Sequence, residues 1–363
     1  MEIPLFDTAT PLAPLEAELR AAVERVLDSR RYILGAEVRA FEAEFAAYVG
    51  TEHAIGVANG TDALTIALRA IGLGPGDEVV TPSFTFYATA EAIAPTGARP
   101  VFCDIDPATF CVTPDTVRAA LTPRTKAVIV VHLFGNVAPV AEIEALGVPV
   151  VEDAAQAAGS LGPSGRPGAL GTVATFSFYP SKNLGAFGDG GAITTSDAAI
   201  ADRVRMLRFH GSRDKETFEE LGYNSRLDEL QAAILRVQLP HLDTWAEGRR
   251  AAGERYGASG ISELVALPQA TRGARPAWHL YVIRSERADE LGEALRAGGI
   301  EARAYYRRPI HRQPALMADV ELPGTDEAAR TSLALPIGPT LRSAQVGAVA
   351  EAVRAALVRS TTS

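Results

Sequence analysis

The sequence predicts an α/β fold built on a mostly parallel β-sheet and followed by a smaller α+β domain. Seven short apolar runs lie between Val49 and Thr195, and stretches of helical periodicity separate the early ones. Gly, Pro, Ser and Thr residues mark the junctions between the two kinds of segment. Alternating strands and helices form a parallel sheet, because each helix returns the chain to the edge at which the previous strand began.

The seven apolar runs are the predicted strands of a seven-stranded sheet. They comprise residues 53–57, 78–81, 100–105, 126–132, 149–151, 174–178 and 192–195. Two amphipathic helices, residues 15–27 and 37–48, precede the sheet. Further helices over residues 62–71 and 87–94 connect its early strands.

The domain boundary is predicted at Pro240. A helix over residues 227–239 ends there, because proline has no N–H to donate to the helical hydrogen-bond ladder. The large domain then comprises residues 1–240 and the small domain residues 241–363. Within the small domain the pattern predicts one strand over 278–283 and helices over 242–256, 288–297 and 343–358.

Composition restricts the classes of function. With 47% hydrophobic and 22% charged residues, the chain is typical of globular proteins. Its net charge of -9 repels a phosphate backbone, so no nucleic-acid partner is expected. The first residues lack a basic start followed by an apolar stretch, and no apolar run reaches the length of a membrane span, so we expect a cytoplasmic protein. Cys103 and Cys111 have no CxxC spacing or neighbouring His cluster, which favours core residues over a metal site or a disulfide.

The segment from Gly56 to Leu64 leaves a strand, crosses Gly60 and enters a helix at Thr61 and Asp62. A helix N-terminus after a glycine turn presents free N–H groups and a positive dipole end, which suit a phosphate. Taken alone, the pattern is better explained by an ordinary helix cap. A dinucleotide site is not indicated, because the segment does not have the GxGxxG pattern.

Asp153 follows Glu152 at the end of an apolar run. Ligands gather at the carboxyl ends of strands in an open parallel sheet, where a carboxylate can hold the ring nitrogen of a pyridine cofactor in its protonated form. Capping of a following helix is the simpler alternative for an isolated strand-end Asp.

Lys182 lies just beyond another apolar strand, in a turn rich in Pro, Ser and Gly. A lysine in a partly desolvated turn keeps its amine neutral, as Schiff-base formation requires. Ser177, at the end of the same strand, is placed to bind a phosphate oxygen. A surface lysine is the ordinary explanation, but a phosphate turn, a strand-end Asp and a loop Lys in this order favour one shared site.

Six segments in register resemble the DegT/DnrJ/StrS family of sugar aminotransferases. They are residues 59–64 (NGTDAL), 82–86 (PSFTF), 152–156 (EDAAQ), 177–185 (SFYPSKNLG), 188–191 (GDGG) and 222–227 (GYNSRL). The resemblance extends from about residue 5 to residue 339. It implies the fold-type I aminotransferase architecture, pyridoxal 5'-phosphate as cofactor and an obligate homodimer.

The resemblance also implies roles for individual residues. Lys182 would form the Schiff base with the cofactor, and Asp153 would pair with the pyridinium nitrogen. Gln156 would reach the ring hydroxyl, and Phe86 would stack on the ring face. The phosphate would be bound by Gly60, Thr61, Asp62 and Ser177, together with Asn224 from the partner subunit.

The implied reaction moves an amino group from L-glutamate to a nucleotide-linked keto sugar. Tyr223, His279, Tyr306, Arg307 and His311 are the candidate substrate-binding residues, the last three within a basic stretch that also contains Arg303, Arg308 and Arg312. A solvated basic loop explains this stretch equally well. Ser225, where relatives that aminate carbon 4 commonly carry an aromatic residue, favours amination at carbon 3 of a TDP-linked 6-deoxy sugar.

Three rival functions are considered. A pyridoxamine-dependent sugar dehydratase of the same family would carry histidine in place of Lys182. A non-catalytic relative that senses metabolites or regulates transcription lacks support from any DNA-binding segment. A nucleotide-binding oxidoreductase lacks the dinucleotide fingerprint.

Overall fold

The computed structural model describes residues 2–358, and its centre is a seven-stranded sheet with the strand order β1-β7-β6-β5-β4-β2-β3. Six neighbouring pairs form this sheet; β7 runs antiparallel to both β1 and β6, and the other four pairs are parallel. The predicted α/β class and mostly parallel sheet are thereby confirmed. The strands are β1 (His53–Val57), β2 (Glu78–Pro82), β3 (Arg99–Cys103), β4 (Thr125–Val131), β5 (Val150–Asp153), β6 (Val173–Ser177) and β7 (Gly191–Thr195).

Helices cover the sheet and extend beyond it on the C-terminal side. Up to the end of the sheet domain they are α1 (Glu16–Ser29), α2 (Ala36–Val49), α3 (Gly60–Ala70), α4 (Ala88–Glu91), α5 (Pro114–Ala120), α6 (Val140–Glu144), α7 (Ala198–Leu207) and α8 (Glu229–Gln238). The C-terminal part contains α9 (Leu242–Ala258), α10 (Ala288–Ala297), α11 (Pro323–Thr331) and α12 (Ser343–Val358), with the antiparallel pair β8 (Tyr281–Arg284) and β9 (Ser332–Leu335).

The register of the sheet brings four chain segments to one edge. β5 and β6 are parallel, and Asp153 pairs with Thr175 near their carboxyl ends. β7 starts at that edge, because Gly191 pairs with Ser177 on one side and with Val57 on the other. The ends of β1, β5 and β6 and the start of β7 therefore surround one place, where parallel sheets collect ligands.

The hydrophobic clusters follow the predicted division into two domains only in part, and that division stays a prediction. The largest cluster packs around the sheet but includes Val282 of β8 and Ala334 of β9, and the second joins α9, α10 and α12 to β8 and β9. A third, of nearly the same size as the second, packs α2 and α8 against the sheet. Ile3 belongs to the second cluster, since its backbone bonds to Gly299 and Glu301. The N-terminal segment thus packs with the small domain, although the predicted boundary assigns it to the large one. Met1 and residues 359–363 of the two domains lie outside the described residues.

Both cysteines are buried, as the composition suggested. Cys103 and Cys111 are free thiols in the large cluster, and burial raises the pKa of each. Between residues 2 and 358 no helix has the length and apolarity needed to cross a membrane.

Candidate active site

The turn that carries Lys182 is fixed by backbone contacts. Lys182 N–H donates to the carbonyl of Tyr179 at 2.8 Å, and Ala186 N–H donates to that of Phe178 at 2.7 Å. Gly185 is required by space, because a Cβ there would lie 2.6 Å from the Pro180 carbonyl oxygen. The Gln238 amide of α8 donates to the Gly185 carbonyl at 2.8 Å, so the position of Lys182 is set by neighbours on both sides.

Burial adapts Lys182 to act as a nucleophile. It lowers the pKa of the amine to about 8, and the negative charge of Asp153 opposes this shift. A much larger fraction of the amine is therefore neutral near pH 8 than in an ordinary lysine, and only the neutral form attacks a carbonyl.

Asp153 is a buried carboxylate, 5% exposed, with two donors of its own chain. The Thr89 hydroxyl donates to Oδ2 at 2.8 Å and the Ala155 N–H donates to Oδ1 at 3.2 Å. Burial raises the pKa of Asp153, and these donors together with Lys182 and His132 oppose the rise. No α-helix follows Asp153 directly. The helix-cap alternative is therefore not what the structure shows.

The Thr89 hydroxyl also forms a hydrogen bond with a second buried hydroxyl, that of Thr85, and the sequence did not indicate this pair. Thr85 Oγ1 lies 3.1 Å from Thr89 Oγ1, and both side chains are buried. Since Thr89 uses its proton on Asp153, Thr85 donates to Thr89. The two hydroxyls lie one helical turn apart, a spacing visible in sequence, but their target is 64 residues further along the chain.

Glu152 precedes Asp153 in β5, and its side chain points to the opposite face of the sheet, where it holds the loop that leads into β6. It accepts from His132 Nε2 at 2.8 Å and from the backbone N–H groups of Gly168, Leu170 and Gly171. His132 Nδ1 accepts from Ala138 N–H, so the ring proton is on Nε2. His132 therefore has a structural role.

The turn at Gly60 differs from the predicted cap. α3 begins at Gly60, and its cap is Asn59, whose Oδ1 accepts from Asp62 N–H at 2.8 Å. Thr61 and Asp62 are therefore in the first helical turn rather than at the cap. Within residues 2–358 the N–H groups of Gly60 and Thr61 donate to no other group, whereas that of Asp62 is occupied. A Cβ on Gly60 would lie 2.8 Å from Ser177 Cβ, so glycine allows the turn to approach Ser177 closely.

An aromatic wall borders the site. Phe86 is 58% exposed, and its ring centroid lies 6.4 Å from that of Tyr306. Gln156 is tied to this wall: its Oε1 accepts from Phe134 N–H at 2.7 Å and its amide donates to the Tyr306 hydroxyl at 3.3 Å. Phe86 thus offers a free aromatic face, while both polar ends of Gln156 have partners.

The predicted substrate residues are not all brought together. His279 is 4% exposed and its Nδ1 has no partner among the described residues; burial and the charges of Lys182 and Arg249 lower its pKa. Arg307 instead pairs with Asp289 at 2.6 Å and donates to the carbonyls of Ala329 and Arg330. Its guanidinium is thus occupied inside the C-terminal part rather than directed at Lys182.

His311 is also committed to internal contacts. Its Nδ1 lies 2.6 Å from Ser83 Oγ, and its backbone N–H donates to the same oxygen. Nε2 accepts from Arg312 Nε at 3.2 Å, so Nδ1 carries the proton and donates to Ser83. His311 therefore ties the end of β2, and with it the segment that carries Phe86, to the C-terminal part.

Tyr223 and Asn224 lie outside this group in their own chain. The Tyr223 hydroxyl accepts from Arg69 at 3.5 Å, at the end of α3 opposite to Gly60. Asn224 is exposed and borders a surface crevice with Ala58, Asp189 and Gln231. The helix predicted from residue 227 begins at Glu229, so Asn224 lies in the preceding loop.

These features fit pyridoxal phosphate. Free N–H groups beside Ser177 suit its phosphate, the Asp153 carboxylate suits a ring nitrogen, and the Lys182 amine suits its aldehyde. A partly desolvated lysine and a strand-end carboxylate at the carboxyl edge of such a sheet are typical of the pyridoxal phosphate enzymes of fold type I, the class to which this protein belongs.

Comparison with known proteins identifies the family. Residues 14–354 match the model of the DegT/DnrJ/EryC1/StrS aminotransferase family, and the chain belongs to that family. It is 45% identical to the "Pleiotropic regulatory protein" of Geobacillus stearothermophilus, over 97% of this chain and 98% of the relative. It is 47% identical to the "dTDP-3-amino-3,4,6-trideoxy-alpha-D-glucose transaminase" of Streptomyces venezuelae, over 97% and 95%. The crystal structure of S. venezuelae DesV in complex with a ketimine intermediate superposes with a TM-score of 0.95, at 47% identity and 98% coverage of both chains.

Proposed function

We propose that this enzyme transfers an amino group from L-glutamate to carbon 3 of a TDP-linked keto-6-deoxy sugar, as a step of amino-sugar biosynthesis. The observation that carries the proposal is the half-buried Lys182 residue, whose amine has its pKa lowered to about 8 by desolvation, together with the buried Asp153 carboxylate that acts on it. The 47% identity to the Streptomyces dTDP-3-amino-3,4,6-trideoxy-alpha-D-glucose transaminase supports a TDP sugar with nitrogen at carbon 3.

Each residue has a defined task in this proposal. The cofactor, when bound, supplies an electron sink for the carbon that loses its proton. Lys182 holds the cofactor and, once displaced by the donor, moves the proton between substrate and cofactor as a general base and acid. Asp153 keeps the ring nitrogen protonated, and Thr89 and Ala155 N–H hold that carboxylate in position. Gly60, Thr61 and Ser177 bind the phosphate, and Phe86 covers one ring face.

Amination at carbon 4 is the nearest alternative within the family. Ser225 is buried, and its hydroxyl accepts from Ala58 N–H at 3.0 Å, directly before the Gly60 turn. A larger aromatic side chain at this position would displace the contact, so Ser225 is consistent with the carbon 3 branch. A regulatory role is suggested by the name of the Geobacillus relative, but a non-catalytic protein has no need of a lysine with a lowered pKa.

We further propose a cytoplasmic homodimer whose subunits complete each other's sites. Asn224 is exposed and does not line the cavity that contains Lys182 in its own chain, so its amide is available to reach the phosphate in a partner subunit. Phe86, Tyr179 and Phe187 leave apolar surface beside the site, which a partner subunit would cover.

Incubation of the purified enzyme with glutamate and candidate TDP-keto sugars tests the function. We expect glutamate alone to shift the cofactor absorption from the visible towards the pyridoxamine form. Addition of a TDP-linked 3-keto-6-deoxy sugar should yield an amino sugar whose nitrogen is placed at carbon 3 by mass spectrometry and NMR. A product aminated at carbon 4 would contradict the regiochemistry, and no response to any amino donor would contradict the transaminase function.

A further inference from the structure

Arg249 is a buried cation that has no counter-ion among the described residues. It lies on α9 and is 7% exposed, and among residues 2–358 its guanidinium forms no ion pair. In the described part of the chain its Nε has no hydrogen-bond partner, and the one hydrogen bond of Nη1 is to the carbonyl of Trp278 at 3.2 Å. Burial lowers the pKa of Arg249 to about 10, which leaves it charged at neutral pH. Buried charges are normally paired or bound to a ligand, because leaving water costs free energy that only an opposite charge restores.

Arg249 shares a cavity with Lys182. The cavity has a volume of about 130 Å³, and its lining includes Lys182, Arg249, Phe6, Asp7, Phe187 and Trp245. Drug-sized ligands occupy roughly 300–1,000 Å³, so this space suits a small metabolite and not a sugar nucleotide. The one acidic residue of the lining, Asp7, uses Oδ1 to accept from Ala9 and Thr10 N–H groups and forms no ion pair with Arg249.

A second unpartnered polar group supports a ligand at this place. His279 follows Trp278, the residue whose carbonyl accepts from Arg249, and its Nδ1 is buried without a partner among the described residues. The positive charges of Lys182 and Arg249 both act on the His279 ring. His279 does not line the cavity itself, but its ring centroid lies 5.8 Å from that of Phe6, which does. A second buried nitrogen atom without a partner among the described residues therefore lies next to the cavity of Arg249.

We propose that Arg249 binds a carboxylate of the amino donor, and that this cavity is the donor subsite of the active site. The inference rests on the proposed transaminase function, which requires an amino acid to reach Lys182. A guanidinium binds a carboxylate through two parallel N–H···O bonds, and such a pair both anchors and orients the donor. The donor occupies the small cavity first, and the amino-accepting sugar enters after the keto acid has left.

The test compares Arg249→Met and Arg249→Lys with Arg250→Met as the matched control. Arg250 is the next residue of the same helix, but it already pairs with Glu247 at 2.9 Å. Each cofactor-loaded variant is titrated with L-glutamate while the absorption of the cofactor is followed. We expect the half-saturating glutamate concentration to rise about ten- to hundred-fold in Arg249→Met, less in Arg249→Lys and not at all in Arg250→Met. The reverse titration with the amino-sugar product should be unchanged in all three.

L-glutamine as donor identifies the carboxylate concerned. If Arg249 binds the side-chain carboxylate, Arg249→Met raises the half-saturating concentration of glutamate. That of glutamine stays unchanged, because glutamine has an amide at this place. If Arg249 binds the α-carboxylate, Arg249→Met raises the half-saturating concentrations of both donors by the same factor. Either pattern supports the donor subsite, whereas unchanged half-saturation for both donors in Arg249→Met overturns it.

Binding of glutarate, a dicarboxylate without an amine, is a readout that needs no turnover. Calorimetry should detect glutarate binding to the wild type and to Arg250→Met, and not to Arg249→Met. The melting temperature of Arg249→Met without ligand should equal or exceed that of the wild type, because methionine removes an unpaired buried charge. If Arg249→Met does not fold, the same two measurements are made on Arg249→Lys. Wild-type affinity of that variant for both glutamate and glutarate overturns the proposal. A wild type that binds glutarate but reacts with no amino donor contradicts the transaminase function and leaves the carboxylate site intact.

Discussion

Burial acts in opposite directions on the two central residues, Lys182 and Asp153. It favours the neutral form of each, and so lowers the pKa of the amine and raises that of the carboxyl. Each charge partly restores the other, and Thr89 and Ala155 N–H add to the support of the carboxylate. Desolvation therefore favours a reactive neutral amine at Lys182, while Lys182 and the two hydrogen-bond donors favour the ionised form of Asp153 that a protonated ring nitrogen requires.

The first prediction concerns the pH dependence of Lys182. Because its pKa is lowered to about 8, the rate of cofactor capture by the apoenzyme should rise with pH to a midpoint near 8. Asp153 raises this pKa, so Asp153→Asn should move the midpoint to lower pH. Stopped-flow absorption measures the rate. A midpoint near 10.5, as for an ordinary lysine, or an upward shift in the variant would contradict this electrostatic account.

A second prediction assigns Thr89 as a positioning residue for Asp153. Thr89→Val keeps the shape but removes the donor at 2.8 Å, and a hydrogen bond to a charged group is worth about 1.5–3 kcal/mol. We expect kcat to fall by about one to two decades with little change in KM, and Thr89→Ser to recover most of it. Thr85→Val, one hydroxyl further from the carboxylate, should have a smaller effect. Equal loss in the Ser and Val variants would indicate that Thr89 matters only for packing.

At this scale the sequence predicted residues whose chemistry is local to a motif. Lys182, Asp153 and Gly60 follow strand ends, and the position of a strand end is visible in the apolar pattern. Thr89 and Arg249 were missed because their significance depends on contacts with distant parts of the chain. The role proposed for Arg307 depended on the basic composition of its stretch, and that of His311 on the family resemblance. Ion pairing occupies the first side chain and the contact with Ser83 the second.

Among the elements, α3 supplies the proposed phosphate site, because the free N–H groups lie in its first turn, at Gly60 and Thr61. Gly60→Ala would place a Cβ 2.8 Å from Ser177 Cβ and push the turn away. We expect cofactor affinity to fall about ten-fold or more, although alanine is the better helix former by about 1 kcal/mol. Gly74→Ala is the matched control, since a Cβ there meets nothing within 4 Å.

Equilibrium titration of both apoenzymes with the cofactor measures this third prediction. Equal affinity in the Gly60→Ala and Gly74→Ala variants would show that the approach of Gly60 to Ser177 is not needed for phosphate binding. A lowered melting temperature of the Gly60→Ala apoenzyme would instead assign the loss to the helix itself.

Strands were easier to predict than short helices. All seven strands of the sheet coincide with apolar runs, because burial on both faces leaves no polar alternation to obscure them. The helices α5, α6, α7 and α11 were not predicted, and three of them have fewer than ten residues and little room for periodicity. β9 was missed because it follows α11 without an intervening turn and is only four residues long.

At the scale of the whole molecule, the proposed dimer predicts complementation between two inactive variants. Lys182→Ala removes the nucleophile, and Asn224→Ala removes the amide assigned to the partner's phosphate. Mixing the two under conditions of subunit exchange gives heterodimers with one doubly altered site and one intact site. Activity should return to about half that of the wild type per heterodimer. No recovery despite exchange shown by native mass spectrometry would assign Asn224 to its own chain.

The most direct test of the central claim is reduction of the cofactor-loaded protein with borohydride, followed by peptide mapping. The chain contains only three lysines, Lys126, Lys182 and Lys215, and the other two are exposed. We expect one cofactor per chain, attached to Lys182, and none in Lys182→Ala, while Lys126→Ala and Lys215→Ala behave as the wild type. A label on Lys126 or Lys215, or a stoichiometric label that survives in Lys182→Ala, would contradict the assignment of Lys182 as the cofactor-binding lysine.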